Sequence, residues 1–394
     1  MAAKNWTLTD VAQDLHVDSL HVGPADVGGA AQAFSVRKRT LAGGLRTGVN
    51  VIEVDNGALK FTILPDRGMG LWRASLGDLQ LGWRSPVQGP VSPQYVNLWE
   101  PGGIGWLSGF DELLCRCGLE SNGAPDYGEG GKLKYPLHGK IGNLPAHNVS
   151  LAIDGASGEI AVTGIVDEAR MYHNKLRLTS TVSTKLGQPF VTIVDEVTNL
   201  SQETGELQLL YHVNFGQPLL DPGSRVILPA KSVVPRDARA VEGLAKWDVY
   251  GNEEPGYTEQ VYFFELQSGD DGRTQTLLRN AHGTQGVSLK FSKKQLPCFT
   301  LWKSTQAASD GYVTGLEPSI NFPNPRSYEG EQGRVVKLKP GQALKFELTI
   351  EGHPTAESVA TAEKAVAAIA GGTTAKVYDK PMPGWSPKAE AKKV

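Results

Sequence analysis

The sequence predicts an all-β fold: a large antiparallel β-sandwich with a few short helices. Three observations carry that prediction. The chain holds 46 glycines and 24 prolines among 394 residues, with no collagen-like period, so it turns often and its elements are short. Apolar residues recur with period two in segment after segment, as half-buried strands require. Helical periodicity is confined to the two ends.

The elements follow in order. A short amphipathic helix is expected near Leu8 to Leu15. Val49 to Asp55 and Leu59 to Leu64 flank Asn56-Gly57, a hairpin signal. Trp83 to Gly131 is rich in Gly, Pro and aromatics and has poor periodicity; it is too long for a simple connection and reads as a lid or binding loop. Leu176, Leu178, Ser180, Val182 and Thr184 form one strand face, and Gly187-Gln188-Pro189 turns the chain into Phe190 to Val197. Further strands are expected at Leu207 to Val213, Ser224 to Leu228, Val261 to Leu266, Thr276 to Arg279, Val287 to Phe291 and Phe299 to Lys303. Ser232 to Thr258 is a second long connection. Val335 to Leu338 pairs with Ala343 to Ile350 across Lys339-Pro340-Gly341-Gln342. One helix closes the series: Thr355 or Ser358 caps it, Val359, Ala362, Val366 and Ile369 share a face, and Gly371 stops it. Strands without interleaved helices argue against an α/β fold. No repeat and no interdomain linker separates residues 30 and 350. Residues 1–371 are therefore read as one domain with an N-terminal extension, and the Lys- and Pro-rich 372–394 as a C-terminal tail.

Composition narrows the function classes. Lys plus Arg is 39 and Asp plus Glu is 42, a formal net charge of -3. Nucleic-acid binders usually carry a basic excess, and an anionic membrane exerts no general pull on such a chain. No stretch approaches the roughly 20 apolar residues of a membrane helix. Three cysteines cannot build a disulfide framework, which fits a reducing compartment, and Met1 to Asp10 lacks a signal-peptide core. The expected location is the cytoplasm. The sequence leaves the oligomeric state open.

Two imidazoles and a carboxylate stand out by context. His138 lies in Tyr135-Pro136-Leu137-His138-Gly139-Lys140. His212 lies in Leu209-Leu210-Tyr211-His212-Val213-Asn214-Phe215, and Glu317 in Thr314-Gly315-Leu316-Glu317-Pro318. A charged group closing an apolar strand suits a pocket rim better than a core, although a lone His at a strand end is more often a hydrogen-bonded structural residue. Cys115-x-Cys117 has no second Cys pair and reads as packing rather than a metal site. Gly102-Gly103-Ile104-Gly105 is not followed by a phosphate-loop signature, and no Gly-x-Ser-x-Gly motif occurs.

Taken jointly, these segments resemble the aldose 1-epimerase, or galactose mutarotase-like, family. Leu137-His138-Gly139 is similar to its Leu-His-Gly element, Tyr211-His212-Val213-Asn214-Phe215 to its Tyr-His-x-x-Phe element, and Leu316-Glu317-Pro318 to its Glu-bearing segment, all in the family's order. Ile63 to Leu71 with Leu81-Gly82-Trp83 resembles its early hairpin. The similarity spans about residues 40 to 350. The usual Tyr-His-Pro-Tyr-Phe-Asn is here Tyr-His-Val-Asn-Phe-Gly, and the Gly-Arg-x-x-Asn-Arg stretch is missing, with Arg116 only a loose counterpart, so the chain looks like a divergent branch.

The resemblance implies a sugar cleft on a concave sandwich face and ring opening at the anomeric carbon, with no cofactor and no metal. A base takes the proton of the anomeric hydroxyl while an acid protonates the ring oxygen, and the roles then reverse. Glu317 is the expected base and His212 the expected acid. His138 is expected to hydrogen-bond the sugar, with Arg67, Asn214, Lys303, Glu259 and Arg116 as further substrate-binding candidates. Trp302 beside Lys303 is either core or a stacking platform, and Trp83, Tyr95, Trp99, Trp106 and Phe110 would suit a lid over a sugar face. Two other classes compete. One is a lyase or isomerase of an oxidised or acidic sugar, favoured if Arg67, Lys303 and Arg116 line the cleft, with a metal-assisted variant on His138, His212 and Glu317. The other is a non-catalytic carbohydrate-binding protein.

Overall fold

Alternating strands fold into two stacked antiparallel sheets in a computed structural model, which describes residues 3–29 and 32–389. The ten-stranded sheet runs, edge to edge, Arg225–Ile227, Arg273–Arg279, Gly286–Ser292, Ala343–His353, Phe190–Asn199, Lys175–Lys185, Glu159–Ala169, Asn148–Asp154, Lys4–Asp10 and Leu15–His16. Its central strands alternate strictly between buried and partly exposed residues. One face therefore meets water, and the other, with Ile160, Val162, Leu176, Leu178, Val191 and Ile193, meets the second sheet. Each buried branched side chain is worth roughly 1.5–3 kcal/mol relative to exposure, and that face specifies the register.

The second sheet has fourteen strands. Its centre, in the order Gln260–Leu266, Cys298–Thr305, Tyr312–Ser319, Gly205–Gly216, Leu114–Leu119, differs in kind. Almost every residue of these strands is buried on both faces. The inner face packs on the first sheet through Tyr211, Val213, Phe215, Leu301 and Leu316. The outer face must then be covered by something other than a sheet, and the chain around Trp83, Trp106 and Phe110 covers it.

The all-β expectation holds, and several local expectations are corrected. Leu8 to Leu15 is not a helix but a strand, Lys4–Asp10, a one-turn 3₁₀ segment and a short second strand; Leu8 alone buries there, and pairing with Asn148–Asp154 outweighs the weak amphipathic pattern. The segment Trp83 to Gly131 contains a central strand, Leu114–Leu119, which carries no alternation because both its faces are buried. The second long connection begins within the strand Ala230–Pro235 and contains the helix Ala238–Glu242. The closing helix is Ala356–Ala370, with Thr355 as its N-cap and Gly371 in the left-handed conformation at its end. The tail does not leave the domain: Lys376–Val377 adds a parallel strand beside Ala230–Pro235, while 390–394 lie outside the described residues. Among the described residues no helix is long and apolar enough to cross a membrane.

Candidate active site

The covered outer face holds a cavity of ≈ 340 Å³, at the small end of the roughly 300–1,000 Å³ usual for small-molecule sites. Its walls are mostly apolar: Trp106, Phe110, Leu137, Val261, Trp302 and Pro323 among them. His138, His212, Arg236, Glu259, Thr300 and Glu317 supply its polar groups.

His212 and Glu317 project from neighbouring strands, whose register is set by the pairs Leu210↔Ser319 and Val213↔Leu316. His212 Nε2 lies 3.3 Å from Glu317 Oε1, and both residues are nearly fully buried. Gly315 makes the contact possible. A Cβ there would stand 2.6 Å from Glu317 Oε1 and 3.0 Å from His212 Cε1.

The other face of the imidazole fixes its tautomer. The Asn214 amide nitrogen donates to the carbonyls of Glu112 and His212 at 3.0 and 3.1 Å. Its oxygen is thereby left facing His212 Nδ1 at 2.6 Å. An amide oxygen only accepts, so Nδ1 carries the hydrogen and Nε2 is the nitrogen free to gain or lose a proton toward Glu317. Burial and the nearby His138 charge hold the His212 pKa well below its ordinary value. Burial pushes Glu317 up to about 8 against the opposing pull of His138. Both shifts favour the pair's one proton on Glu317 at neutral pH.

His138 stands on a loop held by backbone hydrogen bonds from His138 N to the Gly123 carbonyl, from Gly118 N to the His138 carbonyl, and from Leu137 N to the Gly103 carbonyl. It has φ of 57°, a left-handed conformation that His adopts more readily than most residues. The next residue must be glycine: Gly139 also has positive φ, and a Cβ would sit 2.0 Å from the Ser121 carbonyl oxygen. His138 Nδ1 donates to the Asn122 carbonyl at 2.9 Å, and its ring centroid lies 5.3 Å from that of His212. Burial works against its charge. Cys117, the Asn122 carbonyl and Glu317 outweigh it and raise His138 to about 9.

At the outer wall a second polar chain runs across three elements. Trp302 Nε1 donates to Glu259 Oε2 at 2.6 Å, Arg236 Nη2 donates to Glu259 Oε1 at 2.8 Å, and Arg236 Nε donates to Asp237 at 2.9 Å.

The structure thus brings four of the expected residues, His212, Glu317, His138 and Glu259, to one cavity. Asn214 touches His212 instead of lining the cavity. Arg67, Arg116 and Lys303 lie elsewhere, and their donors are committed. All five Arg116 N–H groups are used on Asp195, Ser180 and the carbonyls of Gly68 and Met69, in an ion pair buried between the sheets. Arg67 pairs with buried Glu112 at 2.5 Å and also donates to Asn143 and the carbonyls of Val91 and Gly109. Lys303 spends its three hydrogens on the carbonyls of Lys246, Trp247 and Val249, and burial brings it down to about 8. It shares the inner face with Leu301, whereas Trp302 faces the cavity. Of the aromatics suited to a lid, Trp106 and Phe110 line the cavity, Trp83 packs behind them, and Tyr95 and Trp99 are about half exposed. Sequence reasoning missed Arg236 and Thr300. Arg236 sits in a stretch without periodicity, but Thr300 is two residues from Trp302 and so shares its face. Among the described residues no group of three or more His, Cys, Asp or Glu side chains is arranged to hold a metal ion.

The fold recurs in known proteins. Residues 46–351 match the family model described as a domain of unknown function, DUF4432. A crystal structure of a candidate aldose 1-epimerase from Klebsiella pneumoniae subsp. pneumoniae is 32% identical, with 97% of this chain and 99% of that one covered and a TM-score of 0.93. The chain belongs to the DUF4432 family of galactose mutarotase-like proteins. More distant solved structures share the fold alone. A galactose mutarotase-like protein from Clostridium acetobutylicum is 16% identical over 80% of this chain and 98% of that one, with a TM-score of 0.57. A galactose 1-epimerase from Lactobacillus acidophilus is 13% identical over 81% and 98%, with a TM-score of 0.53. No curated protein matches the sequence. The large antiparallel sandwich of this DUF4432 chain is thus the galactose mutarotase-like architecture.

Proposed function

We propose that the protein is a cofactor-independent aldose 1-epimerase, with Glu317 as base, His212 as acid and a small aldose as substrate. The observation that supports this most is the 3.3 Å approach of His212 Nε2 to Glu317 Oε1, at the floor of a cavity of monosaccharide size, with the second imidazole nitrogen held by Asn214.

The chemistry needs one proton on the pair. A sugar hydroxyl donating to Glu317 favours the carboxylate form and moves that proton to His212 Nε2. Glu317 then takes the proton of the anomeric hydroxyl. The C1–O1 bond becomes a carbonyl, the bond from C1 to the ring oxygen breaks, and His212 Nε2 protonates the ring oxygen. Rotation about C1–C2 and the reverse transfers close the other anomer, leaving both residues as they began. Positively charged His138 stabilises the negative charge that develops beside it. The apolar walls exclude water and strengthen these interactions.

The competing reading, a lyase or isomerase of an acidic sugar, drew on three cations that line no part of the cavity. Of the two cations that do line it, Arg236 already faces two carboxylates, and His138 faces Cys117 and Glu317. That favours a neutral aldose. The test is proton exchange spectroscopy between α and β anomers on a panel of neutral, phosphorylated and acidic aldoses. Acceleration lost in Glu317→Gln supports the assignment. No acceleration with any sugar would sink it.

A further inference from the structure

The C-terminal segment is built into the cavity wall. Lys376–Val377 pairs with Ala230–Pro235, and Tyr378 N donates to the Val233 carbonyl at 2.9 Å. Tyr378, Met382 and Trp385 then pack against Val234, Val261, Phe263, Cys298 and Phe322. Phe322 stacks on Phe263 on one side and on Trp385 on the other, with centroids 4.5 and 5.0 Å apart. The Asn324 amide donates to the Trp385 carbonyl at 2.9 Å. One member of this patch, Val261, lines the cavity, as do Pro323, next to Phe322, and Arg236.

One contact is out of keeping with simple docking. Ser386 is fully buried. Its hydroxyl donates to the Arg236 carbonyl at 2.5 Å, and its oxygen accepts from Lys388 N at 3.1 Å. Apolar docking is already provided by Tyr378, Met382 and Trp385. Burying a hydroxyl costs desolvation and returns a modest neutral hydrogen bond. What the hydroxyl adds is direction: it pins the backbone of the residue whose guanidinium holds Glu259, which in turn holds the Trp302 indole.

We infer that Lys376–Ala389 is a positioning element of the substrate site, in which Ser386 sets Arg236 and through it the Glu259–Trp302 wall against which the sugar binds. This rests on the sugar-site reading of the cavity. Ser386 touches no substrate; it acts through Arg236. Its loss should therefore weaken binding more than it slows the proton transfers at Glu317 and His212.

The test compares full-length wild type, Ser386→Ala and Ser386→Thr. The first readout does not depend on activity. It is the Trp302 indole N–H resonance, identified among eight tryptophans by its loss in Trp302→Phe. The second is KM and kcat for anomer exchange. In Ser386→Ala the indole resonance should move and KM should rise roughly three- to tenfold, the worth of one hydrogen bond, with kcat within about twofold. Ser386→Thr should restore both. An unmoved indole resonance with unchanged KM in a folded Ser386→Ala protein overturns the inference. So does a loss of melting temperature with kcat reduced and KM unchanged, which marks a structural role only. If wild type exchanges no anomers, the epimerase reading fails, and the indole resonance alone still decides whether the segment sets the wall.

Discussion

Gly315 is the sharpest probe of the proposed proton-carrying pair, because the side chain it lacks would occupy the space that His212 and Glu317 share. Gly315 is not among the residues with positive φ, so alanine meets no backbone penalty there and the effect of Gly315→Ala is steric. The new Cβ would lie 2.6 Å from Glu317 Oε1, where ordinary contact begins near 3.4 Å. The carboxylate must then retreat by about 0.8 Å, or the imidazole must tilt, since overlap on that scale is repulsive. Glu317 and His212 are buried and cannot swing into solvent. Overpacking of this kind costs about 1–3 kcal/mol of stability, which a sandwich of this size tolerates. Catalysis is less forgiving, because a displacement near 1 Å costs up to about a hundredfold in rate. The assay is anomer exchange by magnetisation transfer at saturating sugar, with the melting temperature recorded on the same sample. The expectation is a folded protein with kcat reduced about ten- to a hundredfold. A folded Gly315→Ala protein with wild-type kcat would refute the claim that the His212–Glu317 contact carries the reaction.

The remaining expectations are briefer. Glu317→Gln keeps shape but removes the base, so kcat should fall about 10²- to 10⁴-fold while sugar affinity, read by calorimetry, stays within a few-fold. The pH profile should be flat through neutrality. The working pair needs one proton, and Glu317 holds it up to about pH 8, so the rate should fall as pH rises beyond that. A second proton reaches His212 only well below the ordinary histidine range, and a decline already under way at pH 7 on the acid side would contradict the assignment. Arg116→Met should act on stability and not on KM, because it strands Asp195 in the core. Breaking such a pair costs about 3–5 kcal/mol, and chemical denaturation measures it. Treatment with a chelator should leave anomer exchange unchanged, whereas a metal-assisted reaction would stop.

What the sequence revealed and what it hid divide along one physical line, the number of faces a strand buries. Phe190–Asn199 and Lys175–Lys185 each bury one face and expose the other, so their alternation announces them. Leu114–Leu119 buries both, reads Leu-Cys-Arg-Cys-Gly-Leu, and passes for loop. The site lies on such strands, because a cavity needs a wall behind it and a cover in front. The reading of the site was therefore carried by residue type and motif, not by periodicity. It pointed to His138, His212 and Glu317, whose chemistry is out of place in an apolar run and which line one cavity, and equally to charge that serves the interior. Arg67, Arg116 and Lys303 also interrupt apolar runs, but each meets enough acceptors to use four, five and three donors respectively, and these acceptors come mostly from distant segments that no local pattern shows. Parity was the signal left unused at Thr300 and Lys303. Given that Trp302 faces the cavity, period two sends Lys303 inward and Thr300 outward, as the register Thr300↔Glu317 and Lys303↔Thr314 requires. The same rule places Asn214 beside His212, where it directs the imidazole. A buried charge is thus evidence for a site only when its strand parity turns it toward a cavity and its donors are not already spent.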